Sequence, residues 1–509
     1  MTHTDFTSFK QAAKTYDTVP VVKRYFADGL TPIQIAYQLQ DQLTFLLESK
    51  DAASPWSRYS FIGLNPMYQL VEESGVFHTY SEDGSQIARS QTFEDAFDQT
   101  LQHLNVKPLD LPIPFKGGAV GYMSFEAIQS IEPSLKKGPL SKQDHNNEQP
   151  AFHFLFCETL IAYDHTKKEL MIIIHVPTKQ STFLKEQYDA AFSQIDELFT
   201  TLERSTSGLM VPAAIENTEE VSFDGVLSSY TKPDFMKDVE TIQEYIRAGD
   251  IFQAVLSQRF EMPVTSSAFD IYRVLRMVNP SPYLFYLKIG DVEVVGSSPE
   301  RLVQVADKHV EIHPIAGTRP RGADEELDNQ LAKELLADEK ERAEHYMLVD
   351  LARNDVGRVA EYGSVKTPTL LEIGRFSHVM HIISKVTGEL REGITPLNAL
   401  MSAFPAGTVS GAPKIRAIEI LNELEPVKRG IYSGAIGYLS YDGNIDSCIA
   451  IRTMIIKDQK AYIQAGAGVV ADSIPEKEFE ETQNKAKALL RAVQLAEKMF
   501  GEGAVVNHV

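Results

Sequence analysis

Between Gly434 and Ile456 the chain reads GAIGYLSYDGNIDSCIAIRTMII, with Asp442-Gly443 set between two apolar, β-rich runs. Asp-Gly in that setting is a strong hairpin signal. A hairpin commits its strands to antiparallel pairing. Other strand-like stretches (YSFIGLNP, LIAYD and ELMIIIHVP) lie within residues 20–200, and helical stretches intervene in blocks. An α+β fold is therefore expected, not an alternating parallel sheet.

The apolar run LMIIIHV, Leu170–Val176, is too short to span a bilayer and reads as a buried strand. In LKEQYDAAFSQIDELFTTLER, the spacing of Tyr188, Phe192, Ile195 and Leu198 predicts a helix. The composition then shifts. Residues 205–233 are small and polar without sustained periodicity, which predicts a linker between an N-terminal domain, 1–204, and a second domain, 234–500. The polar stretch Gly138–Pro150 reads as a surface excursion inside the first domain. After the linker, Asp234 is expected to cap a helix carrying Val239, Ile242, Tyr245 and Ile246, ended by Gly249 and followed by the strand IFQAVLSQRF.

A net charge of −21 argues against a nucleic-acid or anionic-membrane partner, since either requires a basic patch. A small anionic substrate would need cations placed locally against that field. Two cysteines, Cys157 and Cys448, make neither a disulfide framework nor a zinc site. The polar N-terminus lacks a secretory apolar core, so a cytoplasmic protein is expected.

Five segments carry residues with chemistry: HPIAGTRPRG (His313–Gly322), AEHYMLVDLARND (Ala343–Asp355), GTVSGAPK (Gly407–Lys414), QAGAG (Gln464–Gly468) and EETQNKA (Glu480–Ala486). Singly, each reads as a turn or a solvated helix face. GTVSGAPK is not a phosphate loop, because three residues separate its glycines and Ala-Pro precedes the lysine. Gly466 and Gly468 lack Cβ atoms, so backbone amides there can approach a carboxylate closely. On two helices, Glu341, Glu344 and Leu348, and likewise Glu478, Glu481 and Lys485, fall at i, i+3 and i+7.

Taken together and in this order, these segments resemble the catalytic core of the chorismate-binding enzymes, the family of anthranilate synthase component I and its relatives. The resemblance runs from about Tyr230 to Lys498. It implies antiparallel β-sheets packed as a sandwich core, helices outside and two intertwined domains. It also implies chorismate, a dianion, as substrate.

By that resemblance Arg452, in the strand-like IAIRTM, and Tyr432 contact a substrate carboxylate, together with Gly466, Ala467 and Gly468. Gly317 and Thr318 lie near the ring, and Thr408 with neighbouring amides faces its substituents. Glu344 and Glu481 coordinate a magnesium ion, Lys485 pairs with the substrate carboxylate, and Glu341 stands behind the metal. Oxygen ligands suit magnesium. Glu300, in GSSPERLV, protonates the departing C4 hydroxyl, a poor leaving group that calls for an acid of raised pKa. His381 is associated with loss of pyruvate.

Within the family, water-adding members carry a lysine at the position of Gln253, and para-aminobenzoate-forming members carry one at Ala316. With neither lysine present, free ammonia is the nucleophile implied, and the product is anthranilate. Neither cysteine lies in a glutaminase-like turn, so a separate glutaminase subunit is expected to supply ammonia. FLLESKDAASPWSRYSFIG (Phe45–Gly63) resembles the family's tryptophan feedback signature. Ser49 then forms one wall of an inhibitor pocket and Pro282, Tyr283 and Leu284 the other, with Trp56 in a packing role. The alternatives are the large subunit of aminodeoxychorismate synthase and a non-catalytic amino-acid sensor.

Overall fold

The structure is a computed structural model that describes residues 3–50, 55–137, 149–179, 181–203, 221–376 and 379–501. Most of the expected linker, the stretch 138–148 and the side chain of Trp56 lie outside the described residues.

Among the described residues there are 22 strands, and every strand ladder is antiparallel. Two long strands, Tyr59–Glu73 and Phe152–Asp164, pair along most of their length and belong to two sheets at once. In one sheet the second of them pairs with Gly118–Met123, which pairs with Ala435–Ser440, then Ile445–Ile449 and Arg301–Ala306. In the other sheet Tyr59–Glu73 pairs with Leu43–Glu48, followed by Tyr283–Ile289, Val292–Ser298, Thr453–Lys457, Lys460–Val469 and Gln253–Pro263.

The sheets bury their facing sides against each other. Val120, Tyr122, Ile436, Tyr438 and Cys448 from the first meet Phe45, Phe61, Phe285, Val294 and Tyr462 from the second in one apolar core. Each fully buried large side chain there contributes about 1.5–3 kcal/mol of transfer free energy. Helices cover the outer sides. Phe93–Leu104, Glu339–Gly357 and Pro396–Ala403 pack on the first sheet, and Leu184–Leu202, Ala268–Val278 and Pro475–Phe500 on the second. The sandwich with external helices is therefore as the family resemblance implies. The segments before and after residues 205–233 interleave strands in both sheets and share all three of these cores.

Local expectations hold where periodicity is strong. Glu169–Pro177 is a buried strand, and Gly443, at φ 85°, turns the hairpin between Ala435–Ser440 and Ile445–Ile449. The helix after the expected linker differs in its cap. It begins at Lys232, inside the range read as linker, and Thr231 rather than Asp234 caps it. The Thr231 side chain accepts from the Asp234 amide, so Asp234 sits one turn too far in to cap. Gly249 ends it in the left-handed conformation, as expected. Among the described residues no helix is long and apolar enough to cross a membrane.

Candidate active site and a second pocket

A cavity of about 400 Å³ opens between the ends of several elements. Its walls carry Glu300 from the break between two strands, Thr408 from the short turn Gly407–Val409, Tyr432, Arg452, Gly466 and Gly468. The helices Glu339–Gly357 and Pro475–Phe500 add Glu341, Glu344, Glu478, Glu481 and Lys485.

Glu300 sits where Pro299 separates Val292–Ser298 from Arg301–Ala306, and its carbonyl accepts from the Ile449 amide. The Thr408 hydroxyl donates to its Oε1 at 3.0 Å. Burial pushes this carboxyl up to about 7, against the opposing effects of Thr408 and of the Lys485 charge. A carboxyl in that range holds a proton near neutrality and can give it up, as a general acid must.

Arg452 is not on a strand. It occupies the connection before Thr453–Lys457 at φ 50°, and this turn directs it into the cavity wall. Its guanidinium finds no hydrogen bond or ion pair among the described residues, and burial lowers its pKa. A guanidinium stays charged in proteins, so this one is available to an anion.

The two glycines are required by close approach. A Cβ on Gly466 would lie 2.9 Å from the Tyr432 hydroxyl, and one on Gly468 would lie 2.7 Å from Gln253 Nε2. Ala467 does not line the cavity; it is fully buried, because alternation along Lys460–Val469 turns its side chain to the other face. Lys485 Nζ donates to the Gly466 carbonyl at 2.9 Å and pairs with Glu481 at 2.8 Å.

Burial raises the pKa of Glu344, and the charges of Glu341 and Glu481 raise it further, while Gln253 donates to it. Among the described residues no three Asp, Glu, His or Cys side chains converge into a complete metal cage. Inward carboxylates short of a full cage suit a hard divalent cation that keeps waters and takes substrate oxygens.

Gly317, Thr318 and His381 form a neighbouring cluster outside the cavity lining. His381 Nδ1 donates to the Gly317 carbonyl at 2.7 Å and lies 3.1 Å from the Thr318 hydroxyl. Because a carbonyl only accepts, Nδ1 carries the proton and Nε2 keeps its lone pair. Burial lowers the pKa of this ring. Gly317 is at φ 69°, and a Cβ on it would lie 3.0 Å from Glu341, which links the cluster to the cavity wall.

Ser49, Pro282, Tyr283 and Leu284 come together around a second, smaller cavity of about 90 Å³. The ladder that pairs Glu48 with Leu284 sets Ser49 beside the Pro282-Tyr283 turn. The Tyr283 hydroxyl donates to Asp446 at 2.9 Å and accepts from Arg301 Nε at 2.7 Å. Arg301 and Asp446 also line this pocket, and sequence reasoning singled out neither, nor Gln464 in the first cavity. Their pattern in sequence is that of ordinary strand residues.

A family model described as chorismate binding enzyme matches residues 44–491. The chain is 50% identical over 499 residues to anthranilate synthase component 1 of Bacillus subtilis (strain 168), covering 97% of this chain and 96% of that protein. It is 42% identical over 494 residues to the anthranilate synthase component 1 of Pseudomonas aeruginosa, covering 96% and 98%. The crystal structure of anthranilate synthase component I from Streptococcus pneumoniae TIGR4 superposes with a TM-score of 0.72 at 38% identity, covering 92% of this chain and 98% of that one. The menaquinone-specific isochorismate synthase of Escherichia coli, at TM-score 0.68 and 19% identity over 96% and 98%, shares the fold.

Proposed function

This chain belongs to the chorismate-binding enzyme family, and we propose that it is the large, chorismate-converting subunit of an anthranilate synthase. The observation that carries this reading is the pairing, in one cavity, of an unpartnered guanidinium, Arg452, with a carboxylic acid poised near neutrality, Glu300. Two relatives that match nearly the whole chain, at 50% and 42% identity, are each named anthranilate synthase component 1.

Arg452 and Tyr432, with the amides around Gly466 and Gly468, bind one carboxylate of chorismate, and Lys485 binds at the other. Ammonia adds at C2 of the ring. Glu300 gives its proton to the C4 hydroxyl, which leaves as water, and Thr408 holds that carboxyl in place. His381, with Nε2 unprotonated, serves the second stage, in which pyruvate is eliminated and the ring becomes aromatic. The net change is chorismate plus ammonia to anthranilate, pyruvate and water. Magnesium, held by Glu344 and Glu481, would neutralise the ring carboxylate.

Gln253 lines the cavity where a water-activating base would be needed, and an amide cannot deprotonate water. Ammonia needs no such base. Both cysteines are buried, and burial raises the pKa of each thiol, Cys157 to about 12. Neither suits a glutaminase nucleophile. A separate glutaminase subunit therefore supplies ammonia in this reading. The pocket at Ser49 and Tyr283 takes tryptophan as feedback inhibitor.

The test is anthranilate fluorescence from the purified chain with chorismate, magnesium and ammonium, with and without tryptophan. A chelator-sensitive signal suppressed by tryptophan is expected. Chorismate consumed without anthranilate would overturn the reading.

A further inference from the structure

Arg429 lies behind the cavity wall and is 3% exposed. All five of its N–H donors are used. Nε donates to Glu425 Oε2 at 2.8 Å, and Nη2 to Glu425 Oε1 at 2.6 Å and to the Val255 carbonyl at 2.5 Å. Nη1 donates to the Val409 carbonyl at 2.6 Å and to Ser433 Oγ at 3.3 Å.

These carbonyls belong to two walls of the cavity. Strand Gln253–Pro263 pairs with Gly411-Ala412 only at Gln253 and Ala254, and Val255 donates its amide to Ser410. Past that point the two backbones separate, leaving the carbonyls of Val255 and Val409 turned into the protein. Buried carbonyls need partners, and one planar guanidinium bridges both. Val409 is the residue after Thr408. The same guanidinium lies 5.8 Å from the ring of Tyr432. Its partner Glu425 in turn accepts from the amide and hydroxyl of Ser257. Ser257 receives a bond from Gln464, another cavity residue.

We propose that Arg429 is a positioning residue for the reaction, fixing the Thr408 turn against strand Gln253–Pro263 so that Thr408 and Glu300 meet. It touches no substrate. The catalytic part of this inference rests on the anthranilate synthase reading, whereas the clamp itself does not. Lysine keeps the charge but cannot bridge two carbonyls and a carboxylate from one rigid plane.

The test is Arg429→Lys, read in two ways. Hydrogen exchange at Thr408–Gly411 is expected to quicken at least tenfold while the helix Pro475–Phe500 keeps its protection. With ammonium and chorismate, kcat is expected to fall about 100-fold, the cost of a misplacement near 1 Å, with KM for chorismate unchanged because Arg452 and Lys485 are untouched. Unchanged exchange, or a rise in KM at constant kcat, would overturn the proposal. Should Arg429→Lys not fold, the paired variant Glu425→Gln/Arg429→Met removes both buried charges together and is read the same way. Lack of anthranilate from the unsubstituted chain would count against the functional reading, while the exchange result would still decide the clamp.

Discussion

The Thr408 hydroxyl donates to Oε1 of Glu300 across 3.0 Å, joining residues 108 positions apart in the chain. Thr408 thereby fixes which way the carboxyl points. It also tempers the rise in pKa that burial imposes on Glu300.

Activity should titrate with Glu300. In the free enzyme its carboxyl loses its proton as pH rises through about 7, so kcat/KM, measured at constant free ammonia, should fall across that range. Glu300→Gln should lower kcat by about 10²–10⁴-fold and remove that limb. A Gln variant with an unchanged pH profile would rule Glu300 out as the acid.

The same residue should make stability pH-dependent. A folded-state pKa above the ordinary value contributes stability fully present below the unfolded pKa and lost as pH rises through about 7. The loss is at most about 3 kcal/mol. Urea midpoints of the unsubstituted chain should therefore drop from pH 4 to pH 8 relative to Glu300→Gln. Parallel curves would show that burial does not perturb this carboxyl.

For the second pocket, Ser49→Ala should weaken tryptophan binding by about 1–3 kcal/mol while leaving the melting transition in place. Calorimetric titration measures the affinity, and a thermal melt checks the transition. Full tryptophan affinity in this variant would move the inhibitor elsewhere.

Glu481→Ala should raise the magnesium concentration for half-maximal activity by more than about tenfold, the lower bound already seen when only an outer partner of a metal site is lost. Lys485, which pairs with Glu481 at 2.8 Å, loses its anchor in the same variant. Product formation with unaltered magnesium dependence would reject the metal assignment.

Gly466→Ala should raise KM for chorismate about tenfold or more with the fold retained. The added Cβ would crowd the Tyr432 hydroxyl at 2.9 Å and the Leu256 carbonyl at 3.1 Å. Steady-state kinetics against chorismate gives the answer, and a wild-type KM would remove this strand from the binding surface.

Much of the site was legible because the family motifs name residue types whose chemistry is local. Glu300, Thr408, Tyr432, Arg452, Gly466, Gly468, Lys485, Glu344 and Glu481 do line one cavity. Arg429 was not legible. In KRGIYSG it reads as one more surface cation, and only the fold surrounds it with two carbonyls and a buried carboxylate.

By itself the sequence determined the elements whose side-chain pattern repeats within a few residues. These are the strand Glu169–Pro177, the helix Leu184–Leu202 and the hairpin at Gly443. Period and turn chemistry act over that range, so they need no distant partner. Tertiary structure alone decided that Glu48 faces Leu284, that Arg452 leaves its strand at positive φ, and that the two halves share both sheets. Those outcomes rest on packing summed across strands far apart in the chain, where any one residue's preference is small beside the area the whole sandwich removes from water.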